Sequence, residues 1–414
     1  MRIALIGHAC SPSLGSEPGL TWNLAWTLSR DHDVRLITHP QYRDAIESAR
    51  QTDPCRRVSI YYLPLPAGSD PWNPAEGEHG LRAHYLRWQP RAAKLVRRWA
   101  LAREIDLAHH VSWGTVGAPP LLADIGAPVV WGPLGGGEVM PWRYRSEFRG
   151  SLRSEWLRIL RIAATPMLPS LRRLATRADV ILSCNDETSH VLRRAGARQV
   201  HTILDCGLPE PIHTPAPPAR LRETPLEVFW AGRFEPRKGL PLALRAMLRC
   251  KQRVRLTIAG DGDLRAYYEH LGVALMQQGR VRFVGRVAFE QMCSLYQTSH
   301  VFLFTSLRDR FGTIVLEAMA QGLVVVALDH CGVRSLVPND AAVKIPLTDP
   351  DQSADALAAA LDRLAGDDAY RLSVAHQASR FAAGQAWSDL AGQFVGHYNR
   401  AIERYKRRHA NRDL

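Results

Sequence analysis

Two α/β domains, each built on a mostly parallel sheet with helices on both faces, are what the sequence predicts. Three observations carry that prediction. Short apolar runs of strand length alternate with helical stretches through the first half of the 414-residue chain. A proline-rich stretch, Cys206–Pro225, with Pro209, Pro211, Pro215, Pro217, Pro218 and Pro225, interrupts the alternation. A second alternating series then follows. Strand–helix alternation implies crossover connections and hence parallel, doubly wound sheets. A run dense in proline suits a linker, so the boundary is placed at 208/209.

The elements follow in order. Ile3–Gly7 reads as a strand and Leu20–Ser29 as a helix. Asp33–Thr38, Val58–Leu63, Leu107–Val111, Val129–Gly132 and Val180–Ser183 read as further strands. Past the linker come a strand at Glu227–Ala231, a helix to about Leu248, a strand at Arg255–Gly260, a helix to about Gln277 and a strand at Val281–Val284. A helix at Phe289–Gln297 and strands at Val301–Phe304, Leu323–Leu328 and Ala342–Ile345 complete the series, and a last helix runs from Trp387 to Lys406. Ligands on such sheets bind beyond the carboxyl ends of the strands. Gly7, the Gly15-Ser16 loop, His109 with His110, and Gly135 to Glu138 all fall at such ends and are expected to converge.

Composition excludes several classes. Hydrophobic content of 46% with 22% charged residues is ordinary for a globular protein. Seven scattered cysteines with no Cys-x-x-Cys pair argue against a disulfide framework or a zinc site and fit a reducing cytoplasm. No run nears the roughly 18–20 apolar residues that span a bilayer, and the first strand is too short for a signal peptide. The net charge of +13 calls for an anionic partner. Zinc-finger, RNP-type and basic-zipper patterns are missing, so nucleic acid is not that partner. The charge gathers instead in two segments, 82–103 and 149–177. The second carries Arg149, Arg153, Arg158, Arg161, Arg172, Arg173 and Arg177 among Leu152, Trp156, Leu157, Ile159 and Leu160. Arginine mixed with aliphatics and tryptophan at helical spacing suits a helix lying on an anionic membrane surface. It equally suits an amphipathic helix with a basic solvent face.

The densest chemistry lies at Ser306–Gly322. Asp309 and Glu317 are eight residues apart across Gly312, which opens a helix. The glycine lets backbone approach a ligand, and the N–H groups from Gly312 through Thr313 to Ile314 meet the helix's positive dipole end, a place for a phosphate. Upstream, Gly232 ends a strand, and Arg233 and Lys238 flank a proline turn before a helix. Arginine can fork two phosphate oxygens and lysine supplies a point charge. A carboxylate, a phosphate cradle and a second carboxylate match the order of partners that a sugar, a diphosphate and a ribose need.

These residues carry a family resemblance. Pro225–Pro338 resembles the donor half of retaining, nucleotide-sugar-dependent glycosyltransferases of family 4 (group 1). The pieces are Ala231-Gly232-Arg233 with Lys238-Gly239, Ile258–Gly262, Val281–Val287 and the acid segment. Gly15–Gly19, Asp106–His109 and Trp131–Glu138 match more loosely. The first acid departs from the family's Glu-x7-Glu, since it is Asp309, one methylene shorter. The resemblance implies the GT-B architecture, two Rossmann-like domains facing across a cleft. It also implies that the last helix, about 387–414, completes domain 1–208, while 209–386 binds the donor.

By the same resemblance Arg233 and Lys238 stabilise the departing diphosphate, Glu317 receives the ribose hydroxyls and Asp309 grips the donor sugar. The base would lie against backbone near Arg286 and Val287, and Gly15 and Ser16 would offer amides to the diphosphate. Two cations and a helix dipole can serve that leaving group, and no Asp-x-Asp pair is present, so neither metal nor cofactor is expected. His109 or His110 would sit beside the reacting carbon. Neighbours on a strand point oppositely, so one of them can face the ligand, and the family pattern favours His109. Glu138 and Glu17 are acceptor-side candidates. The expected activity is retaining transfer from a nucleotide-diphosphate sugar to a glycan, a lipid-linked or another cell-surface acceptor, in polysaccharide or lipopolysaccharide synthesis at the inner face of the plasma membrane. The alternatives are a 2-epimerase-like relative that needs no acceptor, and a nucleotide-sugar-binding protein without catalysis.

Overall fold

A computed structural model describes residues 1–53, 56–66, 68–74, 77–148, 150–212, 214–221 and 223–410. Arg149 and residues 411–414 lie outside them. The chain divides into two compact units, one of residues 1–137, 161–207 and 387–414, the other of 138–160 and 208–386.

Among the described residues the first unit holds seven strands: β1 (Arg2–Gly7), β2 (Asp33–Thr38), β3 (Val58–Tyr62), β4 (Leu107–Ser112), β5 (Val129–Leu134), β6 (Val180–Ser183) and β7 (Val200–Thr202). Every pairing is parallel, in the order β3-β2-β1-β4-β5-β6-β7. Both central strands, β4 and β5, are buried along their whole length, as a sheet covered on both faces requires. The short β7 carries no hydrophobic run, and periodicity does not announce it. The first helix starts at Ser16 rather than Leu20. Pro18 is tolerated there because the first turn needs no intrahelical N–H donors. The last helix, Trp387–Ala410, belongs to this unit and buries Leu390, Ala391, Phe394, Tyr398 and Ala401, one stripe of a 3.6-residue period.

Among its described residues the second unit has six parallel strands: β8 (Leu226–Ala231), β9 (Val254–Ala259), β10 (Val281–Gly285), β11 (Val301–Phe304), β12 (Val324–Leu328) and β13 (Val343–Ile345), ordered β10-β9-β8-β11-β12-β13. Segment 138–160, expected with the N-terminal domain, packs here. Tyr144 donates to Ser353 Oγ at 2.6 Å, Glu147 accepts from Arg245 at 2.7 Å, and Met140, Tyr144 and Phe148 join the core. The strand order reverses between β8 and β11. These two pair over only Val228↔Val301 and Phe229↔Phe302, so their carboxyl ends diverge into loops. A crevice at such a switch point is where ligands settle on this kind of sheet.

One glycine fixes how those loops meet. Gly239 has φ 65°, and a Cβ there would lie 2.2 Å from the Thr305 carbonyl oxygen. Gly239→Ala is therefore expected to lower the urea midpoint of unfolding, with a loss of at least about 1–2 kcal/mol from the left-handed backbone alone. A midpoint equal to wild type would show that the turn yields freely.

Candidate functional site

The turn after β8 and the loop after β11 are bound to each other before any side-chain charge is considered. Leu307 N–H donates to Arg237 O at 2.8 Å, and Thr305 Oγ1 donates to Lys238 O at 3.1 Å while accepting from Trp230 Nε1 at 3.0 Å. Charge follows the backbone. Lys238 Nζ bonds Asp309 Oδ2, Arg237 Nη1 lies 3.7 Å from the same oxygen, and Ser306 Oγ donates to it at 3.2 Å. Asp309 Oδ1 accepts from the Arg310 amide at 3.2 Å. Glu235 pairs with Arg237 at 2.7 Å and with Arg233 at 3.1 Å. Arg233, Arg237 and Lys238 thus alternate with Glu235 and Asp309, three cations to two acids. Arg233 stands at the open end with its side chain 73% exposed, whereas Lys238 and Asp309 are 17% and 19% exposed.

The two acids of the segment have opposite electrostatics. Burial alone would raise the Asp309 carboxyl, but the charge of Lys238 and its hydrogen bond outweigh burial and hold it below the usual range. Burial raises Glu317, and the hydrogen bond from Tyr296 OH at 3.1 Å offsets this only in part. Glu317 lies in the second turn of helix Thr313–Ala320, which Gly312 precedes at φ 98°. The first amides of that helix have no acceptor within it, so together with Arg233 and Lys238 they form a setting for a polyanion. Gly232 closes β8, its N–H bonded to Ala259 O at 3.0 Å, and Arg286 and Val287 directly follow β10. Thus Gly232, Arg233, Lys238, Asp309, Gly312, Thr313, Ile314 and Glu317 all belong to β8, β11 and the segments that follow them.

The histidine expectation is corrected. Both His109 and His110 are buried, at 0% and 1% exposure, so neither faces a ligand. His109 Nε2 donates to the Gly132 carbonyl at 2.7 Å. Its pKa is pushed down by burial to about 3, so the ring is neutral and Nδ1 accepts from Tyr398 OH at 2.7 Å. Both nitrogens are spent holding the last helix to β4 and β5. His110 Nε2 meets Tyr85 OH at 3.0 Å. Glu138 is 4% exposed and pairs with Arg158 at 3.6 Å, a buried position inside the second unit. In the first unit Gly15 and Ser16 are exposed where the first helix begins, with Ser16 at φ 56°, and Glu17 follows in its first turn. A non-glycine residue at positive φ is uncommon enough to mark that turn.

Sequence reasoning missed Arg237, Ser306 and Tyr296, and also the buried pair Arg308–Glu155 at 2.8 Å, which ties the β11 loop to helix Leu152–Ala164. Arg237 had a signal, since it stands between Pro236 and Lys238. Tyr296 and Glu155 had none, because they reach the site from distant elements.

The chain is 33% identical over 177 residues to the phosphatidyl-myo-inositol mannosyltransferase of Mycolicibacterium smegmatis, covering 41% of this chain and 44% of that protein. It is 29% identical over 180 residues to an uncharacterised glycosyltransferase of Methanocaldococcus jannaschii, covering 42% and 45%. The match thus spans less than half the length of these relatives. Among solved structures, sucrose-phosphate synthase from Thermosynechococcus elongatus superposes with a TM-score of 0.64 at 20% identity, over 97% of this chain and 99% of that one. Anabaena HepE in complex with UDP-glucose superposes at 0.59 and 17%, over 96% and 99%. The two parallel sheets and these neighbours make the fold GT-B. Residues 216–381, which hold all the residues of the charged cluster, match the family model for glycosyl transferases group 1.

Proposed function

We propose that the protein is a retaining glycosyltransferase that moves a sugar from a nucleoside-diphosphate sugar to a hydroxyl of a glycan or lipid-linked acceptor. The observation that carries this reading is the Lys238–Asp309 pair, set beside the exposed Arg233 and the helix start at Gly312 in the segment that matches the family. A diphosphate leaving group gathers negative charge as it departs. Fixed cations and unpaired amides stabilise that charge without reorganising. Lys238, oriented by Asp309, retains two further N–H donors for phosphate oxygens, and Arg233 can close over them from solvent. Neither metal nor cofactor is needed for this step. Glu317 accepts hydrogen bonds from ribose hydroxyls. HepE, whose structures hold UDP and UDP-glucose, makes a uridine donor the first to test. Retention follows if the acceptor attacks on the face that the nucleoside diphosphate leaves, with a phosphate oxygen taking the proton.

A membrane-borne acceptor is favoured by one surface. Trp142, Trp156, Leu157 and Leu160 are 50%, 46%, 60% and 60% exposed. Trp142 and Trp156 meet edge to face at 5.1 Å, and Arg145 lies 5.2 Å over the Trp142 ring. Tryptophan and arginine together suit an anionic interface. No helix among the described residues is long and apolar enough to cross a membrane. We place the enzyme at the cytoplasmic face of the plasma membrane, in the synthesis of a cell-surface polysaccharide, lipopolysaccharide or glycolipid.

Three measurements test this reading. A UDP-sugar, added without divalent cations, is expected to raise the melting temperature, equivalent to about 2.7 kcal/mol at a hundredfold excess over Kd. Arg233→Ala should weaken that binding more than tenfold, about 1.5–3 kcal/mol for a charged hydrogen bond. No stabilisation by any nucleoside diphosphate or its sugar would sink the proposal.

The second measurement is pH. Nucleotide binding needs the Glu317 carboxylate, whose folded pKa is raised. Affinity should therefore hold above that pKa and fall as the pH drops through it, at a higher pH than an ordinary glutamate titrates. The free protein should gain stability over the same drop, because its folded state binds that proton more tightly than the unfolded chain does. Glu317→Gln should remove both dependences; if both persist, Glu317 is not the titrating group.

For the membrane, sedimentation with phosphatidylglycerol vesicles should capture the wild type and lose most of it on Trp156→Ser with Leu160→Ser, while phosphatidylcholine vesicles capture little. Equal partition of both proteins would dismiss this surface.

A further inference from the structure

In the first unit, three histidines and a carboxylate with no part in the donor argument come together. His8 directly follows β1 and His39 directly follows β2. His84 lies in the first turn of helix Leu81–Leu101, and Asp70 precedes that helix. His84 Nδ1 is 2.5 Å from Asp70 Oδ1. The ring centroids of His39 and His84 are 4.7 Å apart, and that of His8 is 5.0 Å from His84 and 5.5 Å from His39. One ligand atom each from His39, Asp70 and His84 lies within 4.8 Å of the others.

The ordinary explanation is an aromatic cluster, since Trp72, Tyr85 and Trp88 also pack on His8. It leaves two buried nitrogens over. His8 is 3% and His84 0% exposed, and Nε2 of each has no partner. A buried polar atom without a partner is destabilising, a cost that a phenylalanine in that space would avoid. His39 would surrender only a long bond, 3.3 Å from the Gln41 amide to Nδ1.

We propose that His39, His84 and Asp70, with His8 as the fourth ligand, bind a transition-metal dication of the Zn²⁺ class. Imidazole nitrogen and carboxylate oxygen are ligands of that ion, at about 2.0–2.2 Å. Ligand atoms around a tetrahedral centre of that size stand about 3.3–3.5 Å apart. The present spacings within the triad, 2.5 Å for His84–Asp70 and up to 4.8 Å, bracket that value. The ion would replace the proton that His84 and Asp70 share. It would fasten the end of β2 to the start of helix Leu81–Leu101, and exposed Asp70 gives it a way in. The inference concerns the first unit alone and stands whether or not the transfer reading does. The ion is structural and is not asked to serve the diphosphate.

The test uses the full chain, stripped with a chelator and titrated with Zn²⁺ by calorimetry and with Co²⁺ by visible absorption. Expected are one saturable Zn²⁺ per chain, a higher melting temperature with Zn²⁺, and the intense visible bands of four-coordinate Co²⁺. Loss of an outer-shell partner alone costs about 10–100-fold in affinity, so Asp70→Asn and His39→Gln should each cost at least tenfold. Asp70 is exposed, so the metal-free melting temperature of Asp70→Asn should stay near wild type. No saturable uptake, or uptake unchanged in both variants, overturns the proposal.

Discussion

The second unit depends on one constraint, the locking of the turn after β8 onto the loop after β11. The lock is made first by backbone. Gly239 allows the turn to press on the Thr305 carbonyl, and Leu307 and Arg237 bond through their main chains. Only then do Lys238 and Asp309 meet, each less than one-fifth exposed. An ion pair this sheltered gains little net stability by itself, yet breaking it by removing one partner costs about 3–5 kcal/mol, because a lone charge remains in a poor solvent. The pair is therefore better understood as a device for position. It holds an ammonium at the switch point of the sheet, with its entropy already lost to packing rather than to a ligand.

From that anchor the electrostatics spread outward in a graded way. Asp309 holds Lys238 and draws Arg237, Arg237 holds Glu235, and Glu235 reaches Arg233 at the rim. The inner members are fixed and the outer one is solvated, so the series runs from preorganised to adaptable. The Asp309 carboxylate serves this arrangement with both oxygens, bonded to Lys238, Ser306 and the Arg310 amide. Glu317 meets a tyrosine hydroxyl instead of a cation. The acids at the two ends of the motif are thus unlike in kind, one neutralised by neighbours and one kept as a hydrogen-bonding group in a place that disfavours its charge. Aspartate is short enough to stay against Lys238 in this geometry.

What was legible in the sequence divides by range of interaction. Strand–helix alternation is a local signal, and both doubly wound sheets follow it closely, down to the glycine at the start of helix Thr313–Ala320. Arg233, Lys238, Asp309 and Glu317 were legible because each sits next to the strand or helix end that places it. The placement of 138–160 was not, since Tyr144, Glu147 and Glu155 find their partners at Ser353, Arg245 and Arg308, far along the chain. Tyr296 was hidden for the same reason. The start of the first helix was misjudged because proline and glycine read as breakers, although a first turn accepts both.

Histidine shows most plainly where pattern ends and physics begins. His109 carries the family pattern, yet it stands within β4 and its two nitrogens are both answered, by a carbonyl and by a tyrosine from the last helix. A ring so satisfied has nothing left to offer a substrate, and its position in the strand serves packing. His8, at a strand end and equally hidden, carries no recognisable motif. Its Nε2 is unanswered, and it stands beside the rings of His39 and His84 and near the Asp70 carboxylate. Hydrogen-bond satisfaction separates the two cases where burial cannot, because an unmet need in a dry place must either cost stability or await a ligand. By that criterion the unmet nitrogens of the first unit include those of His8 and His84, which motif and spacing passed over, as well as Nδ1 of His110.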